Sequence, residues 1–381
     1  MKFEKTKPLP ARLNQWVGPT PPDRVVASIE RARLLDDVVH VAVMPDVHLA
    51  HGVCIGTVLA TTRRLYPGVV GGDIGCGMAA MQFDANASIL EKPAVGKMLL
   101  KGLSRVVPMN RHRKALPVVL SSRHRMSDRT LDRVLLGDGR RQLGTLGGGN
   151  HFLELQRDVK DGSLWVMVHS GSRGLGPKVS CHHIACCTER SHGMPVLDAN
   201  SEKGRAFWRD LHAARAYARL NRALMIQATA WMIRECFGVE PQKGTFVQCD
   251  HNHICRERHG GRWLYVHRKG AARARQNQPG LIPGSMGSPS YHVLGRGHPG
   301  ALCSSSHGAG RAMSRTEARR TVSTGGLRRQ TAGVHTNPMQ HARLREEAPQ
   351  AYKDIRQVMR YQRELVTVTR EMEPVLSYKG G

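Results

Sequence analysis

Glycine is clustered in this chain, and the clusters border short apolar runs. The glycine clusters lie at residues 71–77, 144–151, 171–176 and 284–287. The apolar runs include residues 39–43, 53–60, 164–168 and 245–247. Short apolar runs bounded by glycine are typical of buried strands that end in tight loops. The pattern therefore predicts β-sheets whose glycine-rich loops converge on one cleft.

Two segments have the periodicity of amphipathic helices. In residues 201–235, apolar side chains recur on one face and most charges lie opposite. A second helix is predicted near residues 351–370, where Ile355, Val358 and Leu365 give the spacing. The chain has no internal repeat and no low-complexity linker. We therefore predict an α+β fold, with helices packed around the sheets in a single large domain that covers residues 1–381.

The charge balance indicates an anionic partner. The chain has 57 Lys+Arg against 30 Asp+Glu, a formal net charge of +27, and 40% hydrophobic residues, which argues against wholesale disorder. Much of the excess lies in residues 101–145 and 301–345, which flank glycine loops and favour a nucleic-acid groove. No apolar run is long enough to cross a membrane, and nine scattered cysteines fit a reducing compartment. We expect a cytoplasmic protein with no membrane partner.

Five polar residues at the ends of apolar runs, beside glycines, form a candidate metal site. They are Asp73, Cys76, His151, His169 and His251. A carboxylate, a thiolate and three imidazoles suit one or two divalent ions, from manganese and iron to zinc. Each histidine taken alone is better explained as a hydrogen-bonded core residue, and only the shared position of all five favours the metal site.

A second kind of loop surrounds His307. The residues Ser304-Ser305-Ser306 precede this histidine, and Gly308-Ala309-Gly310-Arg311 follow it. Such a loop offers bare backbone N–H groups to phosphate oxygens while the imidazole attacks or relays protons. The chain contains neither the P-loop pattern nor the glycine pattern of dinucleotide-binding folds.

Taken in order, the motifs resemble those of the RtcB family of RNA ligases, from about residue 40 to the C-terminus. The motifs are Met44-Pro45-Asp46-Val47-His48, Gly71-Gly72-Asp73-Ile74-Gly75-Cys76-Gly77-Met78, Gly147-Gly148-Gly149-Asn150-His151-Phe152, Val168-His169-Ser170-Gly171-Ser172-Arg173-Gly174, His251-Asn252, His267-Arg268-Lys269-Gly270-Ala271, Pro283-Gly284-Ser285-Met286-Gly287, His307-Gly308-Ala309-Gly310-Arg311, Tyr352-Lys353-Asp354 and Lys379-Gly380. The resemblance implies an enzyme that joins RNA 3′-phosphate or 2′,3′-cyclic phosphate ends to 5′-hydroxyl ends, using GTP and Mn(II).

The resemblance also implies roles for individual residues. One Mn(II) would be held by Asp73, Cys76 and His151, and a second by Cys76, His169 and His251. His307 would be the nucleophile that carries GMP covalently, and Arg173 and Arg311 would contact RNA. The expected nucleotide-binding residues are Asn150, His151, Phe152, Leu153, Glu154, His251, Asn252, Pro283, Gly284, Ser285, Met286, Ser290, His307, Gly308, Ala309, Gly310, Tyr352 and Lys379. Glu154 is a suitable partner for guanine, because a carboxylate accepts from both the N1 and the N2 donors.

Two other classes of function stay open at this point. One is a metal-dependent phosphatase or cyclic phosphodiesterase that acts on RNA ends without GTP. The other is a non-catalytic RNA-binding protein with a structural metal. The expected partners of the ligase are RNA with broken ends and GTP, and the sequence leaves open an archease-like activator. It also leaves open whether the RNA is tRNA or another broken RNA.

Overall fold

The structure is a computed structural model that describes residues 10–18, 21–116 and 125–380. Residues 117–124 of the basic segment 101–145 lie outside the described residues. The strands are β1 (Arg12–Gln15), β2 (Val38–His48), β3 (Ile55–Thr61), β4 (Arg64–Leu65), β5 (Gly77–Asn86), β6 (Phe152–Asp158), β7 (Ser163–Ser170), β8 (Glu189–Ser191), β9 (Met194–Asp198), β10 (Pro241–Asp250), β11 (Asn252–His259), β12 (Arg262–Lys269), β13 (Ala271–Arg273), β14 (Pro279–Ile282), β15 (Ser290–Gly295), β16 (Ser304–Ser306) and β17 (Val366–Lys379). The α-helices are α1 (Asp23–Arg33), α2 (Pro67–Val70), α3 (Pro93–Val106), α4 (Arg129–Val134), α5 (Arg140–Gln142), α6 (Leu175–Cys186), α7 (Glu202–Phe237), α8 (Arg315–Thr321), α9 (Thr324–Gln330), α10 (His341–Leu344) and α11 (Ile355–Tyr361).

Two sheets carry most of the fold, which is α+β as the glycine pattern predicts. The larger has seven strands in the order β10-β5-β7-β6-β17-β15-β14, and its neighbouring strands are antiparallel. The second has five strands in the order β1-β2-β3-β12-β11. The predicted apolar runs lie in these sheets, within β2, β3, β7 and β10, except that the run 53–60 begins two residues before β3. The strand order departs widely from the chain order, so distant segments meet at the sheet ends.

The helix predicted over residues 201–235 is confirmed as α7, which has 36 residues. The side chain of Ser201 caps its first turn by accepting a hydrogen bond from the backbone N–H of Gly204, and Gly238 ends it in the left-handed region at φ 67°. On the side of the seven-stranded sheet, Met225 and Ile233 pack with Phe83 and Val166 of the strands. This long helix therefore packs against one face of the seven-stranded sheet.

The helix predicted over residues 351–370 is wrong over most of its length. Only Ile355–Tyr361 is helical, and from Val366 the chain forms β17, which pairs with β15 and β6. The run Val366-Thr367-Val368-Thr369 is β-branched, which favours a strand, and the open edges of two neighbouring strands give it partners. The correction matters for the site, because β17 carries Lys379 at its end.

In the part of the chain that the structure describes, no helix is long and apolar enough to cross a membrane.

Candidate active site

One end of the seven-stranded sheet brings the predicted site residues into a single row. Across neighbouring strands, Asp250 pairs with Gly77, Met78 pairs with His169, and Phe152 pairs with both His169 and Lys379. The glycine loops enter or leave the sheet at this end. The predicted metal-binding residues therefore lie side by side, although they are far apart in sequence.

The five candidate metal ligands form two groups that share Cys76. In Asp73–Cys76–His151 and in Cys76–His169–His251, the potential ligand atoms lie within 4.8 Å of one another. The Sγ atom of Cys76 is 3.2 Å from Nε2 of His169 and 3.6 Å from Nε2 of His151, which is 2.9 Å from Oδ2 of Asp73. Gly171 permits this approach, because a Cβ at that position would lie 2.0 Å from Oδ1 of Asp73.

Hydrogen bonds on the far side of two imidazoles leave their Nε2 atoms free to bind a cation. The Nδ1 atom of His151 lies 3.0 Å from the carbonyl of Leu146, and that of His169 lies 3.1 Å from the carbonyl of Asn150. A carbonyl only accepts, so Nδ1 carries the proton in each ring and Nε2 keeps its lone pair toward Cys76. The donor set therefore fits one or two divalent cations.

Burial changes the pKa values of several of these groups. Burial and the neighbouring imidazole of His251 lower the pKa of His169 well below its ordinary value. Burial also lowers the pKa of His251, and burial together with Asp73 raises the pKa of the Cys76 thiol. For Asp73, burial acts to raise the pKa, but the contact with the imidazole of His151 outweighs burial and lowers the pKa to about 2. The cluster thus disfavours charge on His169 and His251 and holds an ionised Asp73 carboxylate, a combination suited to binding a cation.

His307 lies beside this cluster and is held by Asp46. Its ring centroid is 4.7 Å from that of His251. The carboxylate Oδ2 of Asp46, fully buried, accepts a hydrogen bond of 3.0 Å from the backbone N–H of His307 and one of 2.6 Å from its Nδ1. Gly310 makes the close approach possible at φ +73°, because a Cβ there would lie 2.2 Å from the carbonyl oxygen of Asp46.

A cleft of about 770 Å³ opens next to His307. Of the predicted nucleotide-binding residues, the lining includes Asn150, Phe152, Glu154, Pro283, Gly284, Ser285, Met286, Ser290, His307, Gly308, Ala309, Gly310, Tyr352 and Lys379. His151, Leu153, His251 and Asn252 do not line it. Leu153 packs in the core, and the Asn252 side chain donates to the Asp73 carbonyl while accepting from the Gly270 N–H.

Glu154 lies at the buried end of the cleft with an elevated pKa. Burial raises the pKa of this carboxyl to about 7, although the hydrogen bond from Gln156 acts in the opposite direction. The Nε2 atom of Gln156 donates to one carboxyl oxygen at 2.9 Å, and the hydroxyl of Ser377 donates to the other at 3.4 Å. Two hydrogen bonds therefore orient the Glu154 carboxyl group, and its pKa of about 7 means that it gains or loses its proton near neutral pH.

Glu347 binds three residues of the cleft lining, and the sequence analysis missed it. This residue is 1% exposed and accepts hydrogen bonds from Nζ of Lys379 at 2.6 Å, from the hydroxyl of Tyr352 at 2.5 Å and from Arg311 at 3.2 Å. Burial acts to raise its pKa, but the charge of Lys379 outweighs burial and holds the pKa below the ordinary value. Its sequence context, Arg345-Glu346-Glu347, gives no signal because it reads as an exposed charge run.

The two arginines predicted to contact RNA both donate within the protein. Arg173 donates to Oγ1 of Thr145 and to the carbonyl of Met109, and burial lowers the pKa of its guanidinium. Arg311 lines the cleft, bonds Glu347 and lies over the ring of Tyr352. Another arginine of the basic segment 301–345, Arg315, also lines the cleft, and its side chain is 42% exposed.

Asp46 is the second residue missed as a site residue. It lies 261 positions from His307. The motif Met44-Pro45-Asp46-Val47-His48 could have indicated Asp46 as a site residue. Like the metal-ligand candidates, Asp46 is a polar residue near the end of an apolar run.

Comparison with known proteins shows the family to which the chain belongs. The sequence profile described as "tRNA-splicing ligase RtcB" matches residues 28–137 and 123–380. The chain therefore belongs to the RtcB family of RNA-splicing ligases. It is 36% identical over 372 residues to the RNA-splicing ligase RtcB of Escherichia coli strain K12, covering 90% of each chain. It is 31% identical to the RNA-splicing ligase RtcB of Mycobacterium tuberculosis, covering 83% of this chain and 90% of the relative. It is 30% identical to the tRNA-splicing ligase RtcB of Archaeoglobus fulgidus, covering 82% and 81%.

Proposed function

We propose that this protein is a GTP-dependent RNA ligase that joins 3′-phosphate or 2′,3′-cyclic phosphate ends to 5′-hydroxyl ends through a guanylylated histidine. Membership of the family supports the ligase reaction. The single observation that carries the guanylyl step is the position of His307, which lies in the cleft with Nδ1 bonded to Asp46 and with its ring next to the candidate metal cluster.

His307 is suited to nucleophilic attack through Nε2. Because Asp46 holds the proton on Nδ1, the lone pair of the neutral ring is on Nε2. Attack on the α-phosphorus of GTP forms a P–N bond and breaks the P–O bond to pyrophosphate. The positive charge that the ring then gains is stabilised by the buried Asp46 carboxylate. The nucleophile is thus oriented before substrate enters.

The guanylyl group then moves to the RNA. An oxygen of the RNA 3′-phosphate attacks the same phosphorus, the P–N bond breaks, and His307 is restored with an RNA-(3′)pp(5′)G end. The 5′-hydroxyl attacks the activated 3′-phosphorus, GMP leaves, and the hydroxyl proton passes to solvent or a cleft base. A 2′,3′-cyclic end is hydrolysed to a 3′-phosphate first.

Two groups of residues would hold the two Mn(II) ions that we propose as cofactors. They are Asp73, Cys76 and His151 for one ion, and Cys76, His169 and His251 for the other. Bound there, the ions would neutralise charge on the phosphates during in-line displacement. His151 and His169 present Nε2 to this position because their Nδ1 protons are engaged by backbone carbonyls.

The rest of the cleft supports binding of GTP. As a carboxylate, Glu154 accepts from the N1 and N2 donors of guanine, which selects against adenine. Lys379 and Tyr352, both held by Glu347, add a cation and an aromatic ring to the cleft lining. In the loop from His307 to Gly310, the N–H groups of His307 and Ala309 donate to Asp46 and to the carbonyl of Pro283. Those of Gly308 and Gly310 would be the ones offered to phosphate oxygens. These features support GTP as the nucleotide.

RNA ends would approach over the basic rim, where Arg315 and Arg24 line the mouth of the cleft. The Nε atom of Arg315 lies 3.9 Å from Glu346 and 3.8 Å from Glu347, and its guanidinium, like that of Arg24, can contact phosphates in a bidentate way. The roles of Arg173 and Arg311 as RNA contacts stay predictions, as do a cytoplasmic location, an archease-like activator and the extent of one ligase domain over residues 1–381.

Incubation with α-³²P-labelled GTP and Mn(II), followed by denaturing electrophoresis, tests the central step. The wild-type protein is expected to carry label that acid releases and alkali preserves, as for a phosphoramidate. His307→Ala is expected to carry none. If His307→Ala is labelled like the wild type, the assignment of the nucleophile is wrong. If RNA ends are processed without GTP and no adduct forms, the protein is a phosphatase or phosphodiesterase instead.

A further inference from the structure

The longest helix, α7, carries one fully buried arginine whose side chain extends toward the candidate metal cluster. Arg222 of α7 is 0% exposed, and its guanidinium makes four hydrogen bonds. A buried cation is expensive unless every donor is satisfied, and an apolar side chain of similar volume is often tolerated at such a position without loss of stability. The partners of Arg222 therefore indicate what the buried charge does.

Three of these partners are the direct chain neighbours of metal-ligand candidates. NH1 donates to the carbonyl of Gly75 at 2.7 Å and to that of Ser170 at 2.9 Å, while NH2 donates to Oδ1 of Asp250 at 2.7 Å. Gly75 precedes Cys76, Ser170 follows His169, and Asp250 precedes His251. One guanidinium thus links the three segments that supply Cys76, His169 and His251.

We propose that Arg222 is the positioning residue of the Cys76–His169–His251 group, fixing the distances between its three ligands before a cation binds. The proposal rests on the metal centre proposed above but not on GTP or RNA. A planar group with donors in fixed directions can hold three segments at once, whereas a lysine ammonium on a flexible stem cannot. Outer partners of metal ligands commonly control affinity in this way.

The same helix supplies a matched control. Arg219 also bonds the Asp250 carboxylate, at 2.9 Å and 3.1 Å, but none of its hydrogen bonds reaches Gly75 or Ser170, and its side chain is 44% exposed. Arg215 bonds Asp250 as well, at 2.5 Å. Asp250 therefore keeps two cationic partners when either Arg219 or Arg222 is replaced. The two variants differ in the carbonyl bonds to the ligand-bearing segments and in burial, and the unfolding measurement below separates these two effects.

Cation binding to the full-length chain tests the proposal. Mn(II) uptake is titrated by electron paramagnetic resonance, and Co(II) uptake by the thiolate absorption of Cys76, for wild type, Arg222→Lys, Arg222→Met and Arg219→Met. Urea unfolding of the metal-free proteins is measured in parallel. We expect both Arg222 variants to bind about 10–100-fold more weakly, Lys being the milder, and Arg219→Met to stay within about twofold because it keeps the carbonyl bonds.

Three results would contradict the proposal in different ways. If folded Arg222→Lys binds both ions like the wild type, the positioning role is wrong while the metal centre stands. If Arg219→Met loses as much affinity as Arg222→Lys, the effect belongs to the Asp250 ion pairs and not to the carbonyl bonds. If the wild-type chain takes up no cation, the proposed metal centre itself fails and the role of Arg222 fails with it. Where Arg222→Met does not fold, Arg222→Lys alone decides.

Discussion

The carboxylate of Asp46 accepts two hydrogen bonds from His307, one from its backbone N–H and one from its ring Nδ1. The residues belong to different sheets, since Asp46 lies in β2 and His307 follows β16. Burial acts to raise the pKa of Asp46, but the charge of His307 outweighs it and lowers that pKa. The pair therefore contains an ionised carboxylate that fixes both the place and the tautomer of the imidazole.

Asp46→Asn should slow guanylylation while leaving GTP binding nearly unchanged. The amide keeps the shape of the carboxylate but favours the wrong tautomer and no longer stabilises a charged ring, which costs about 10²–10⁴-fold in rate in comparable pairs. The rate of label transfer from α-³²P-labelled GTP measures the effect under single-turnover conditions. An unaltered rate would mean that Asp46 only supports the fold.

GTP affinity should depend on pH through Glu154. The pKa of this group is raised to about 7, and guanine needs the carboxylate form. Below that pH, binding must first remove a proton, so the apparent Kd for GTP should rise about tenfold per pH unit as the pH falls. Isothermal titration from pH 5.5 to 8.5 measures it. Glu154→Gln should bind GTP weakly at every pH, and a wild-type Kd that does not change with pH would contradict the assignment.

Replacement of the shared thiolate should affect both metal groups. Cys76→Ala removes a ligand from each group, whereas Asp73→Asn weakens only the group that contains His151. Equilibrium dialysis against Mn(II) should therefore give the lowest stoichiometry for Cys76→Ala and an intermediate value for Asp73→Asn. Cys249→Ala is the matched control, because that cysteine is also buried but lies outside both groups. Equal losses in all three variants would indicate general destabilisation.

Glu347→Gln should destabilise the protein in a pH-dependent way. The variant leaves Lys379, which is 5% exposed, without its anionic partner, at a cost of about 3 kcal/mol in the free energy of unfolding. The pKa of Glu347 is lowered in the folded state, so its contribution is full above the ordinary value of 4.5 and is lost as the pH falls further. Urea unfolding at pH 7 and at pH 3.5 should show that the difference in the free energy of unfolding between wild type and Glu347→Gln becomes smaller at the lower pH. A constant difference would contradict the ion pair.

Arg315 should contribute to RNA affinity in a salt-dependent way. It lines the cleft, and Arg315→Ala should lower the slope of log K against log salt by about 0.7, the value for one phosphate contact on a single strand. Arg320→Ala is the matched control, since Arg320 is exposed on the same helix α8 but does not line the cleft. Fluorescence anisotropy with a 3′-phosphate RNA measures both variants. Identical slopes would exclude Arg315 as a contact.

Glycine-bounded apolar runs were enough to predict the strands and the gathering of Asp73, Cys76 and His151, because residues at strand ends share an edge. They could not indicate Glu347, whose burial depends on how a short charged stretch packs against β17. The helix predicted over residues 351–370 failed beyond Tyr361 for a related reason. Its periodicity was sound for one short helix, and the β-branched run from Val366 favours a strand, but the pairing partners β15 and β6 cannot be predicted from the local sequence.

The row of residues along the end of the seven-stranded sheet has a consequence for folding. Its members come from segments between Asp73 and Lys379, so the unfolded chain must close several long loops before the whole row is assembled. A cation that binds only the assembled row shifts the folding equilibrium toward the native state, by RT ln(1 + [L]/Kd). The concentration of divalent ions would thus affect the fraction of the protein that is folded as well as the rate of the reaction.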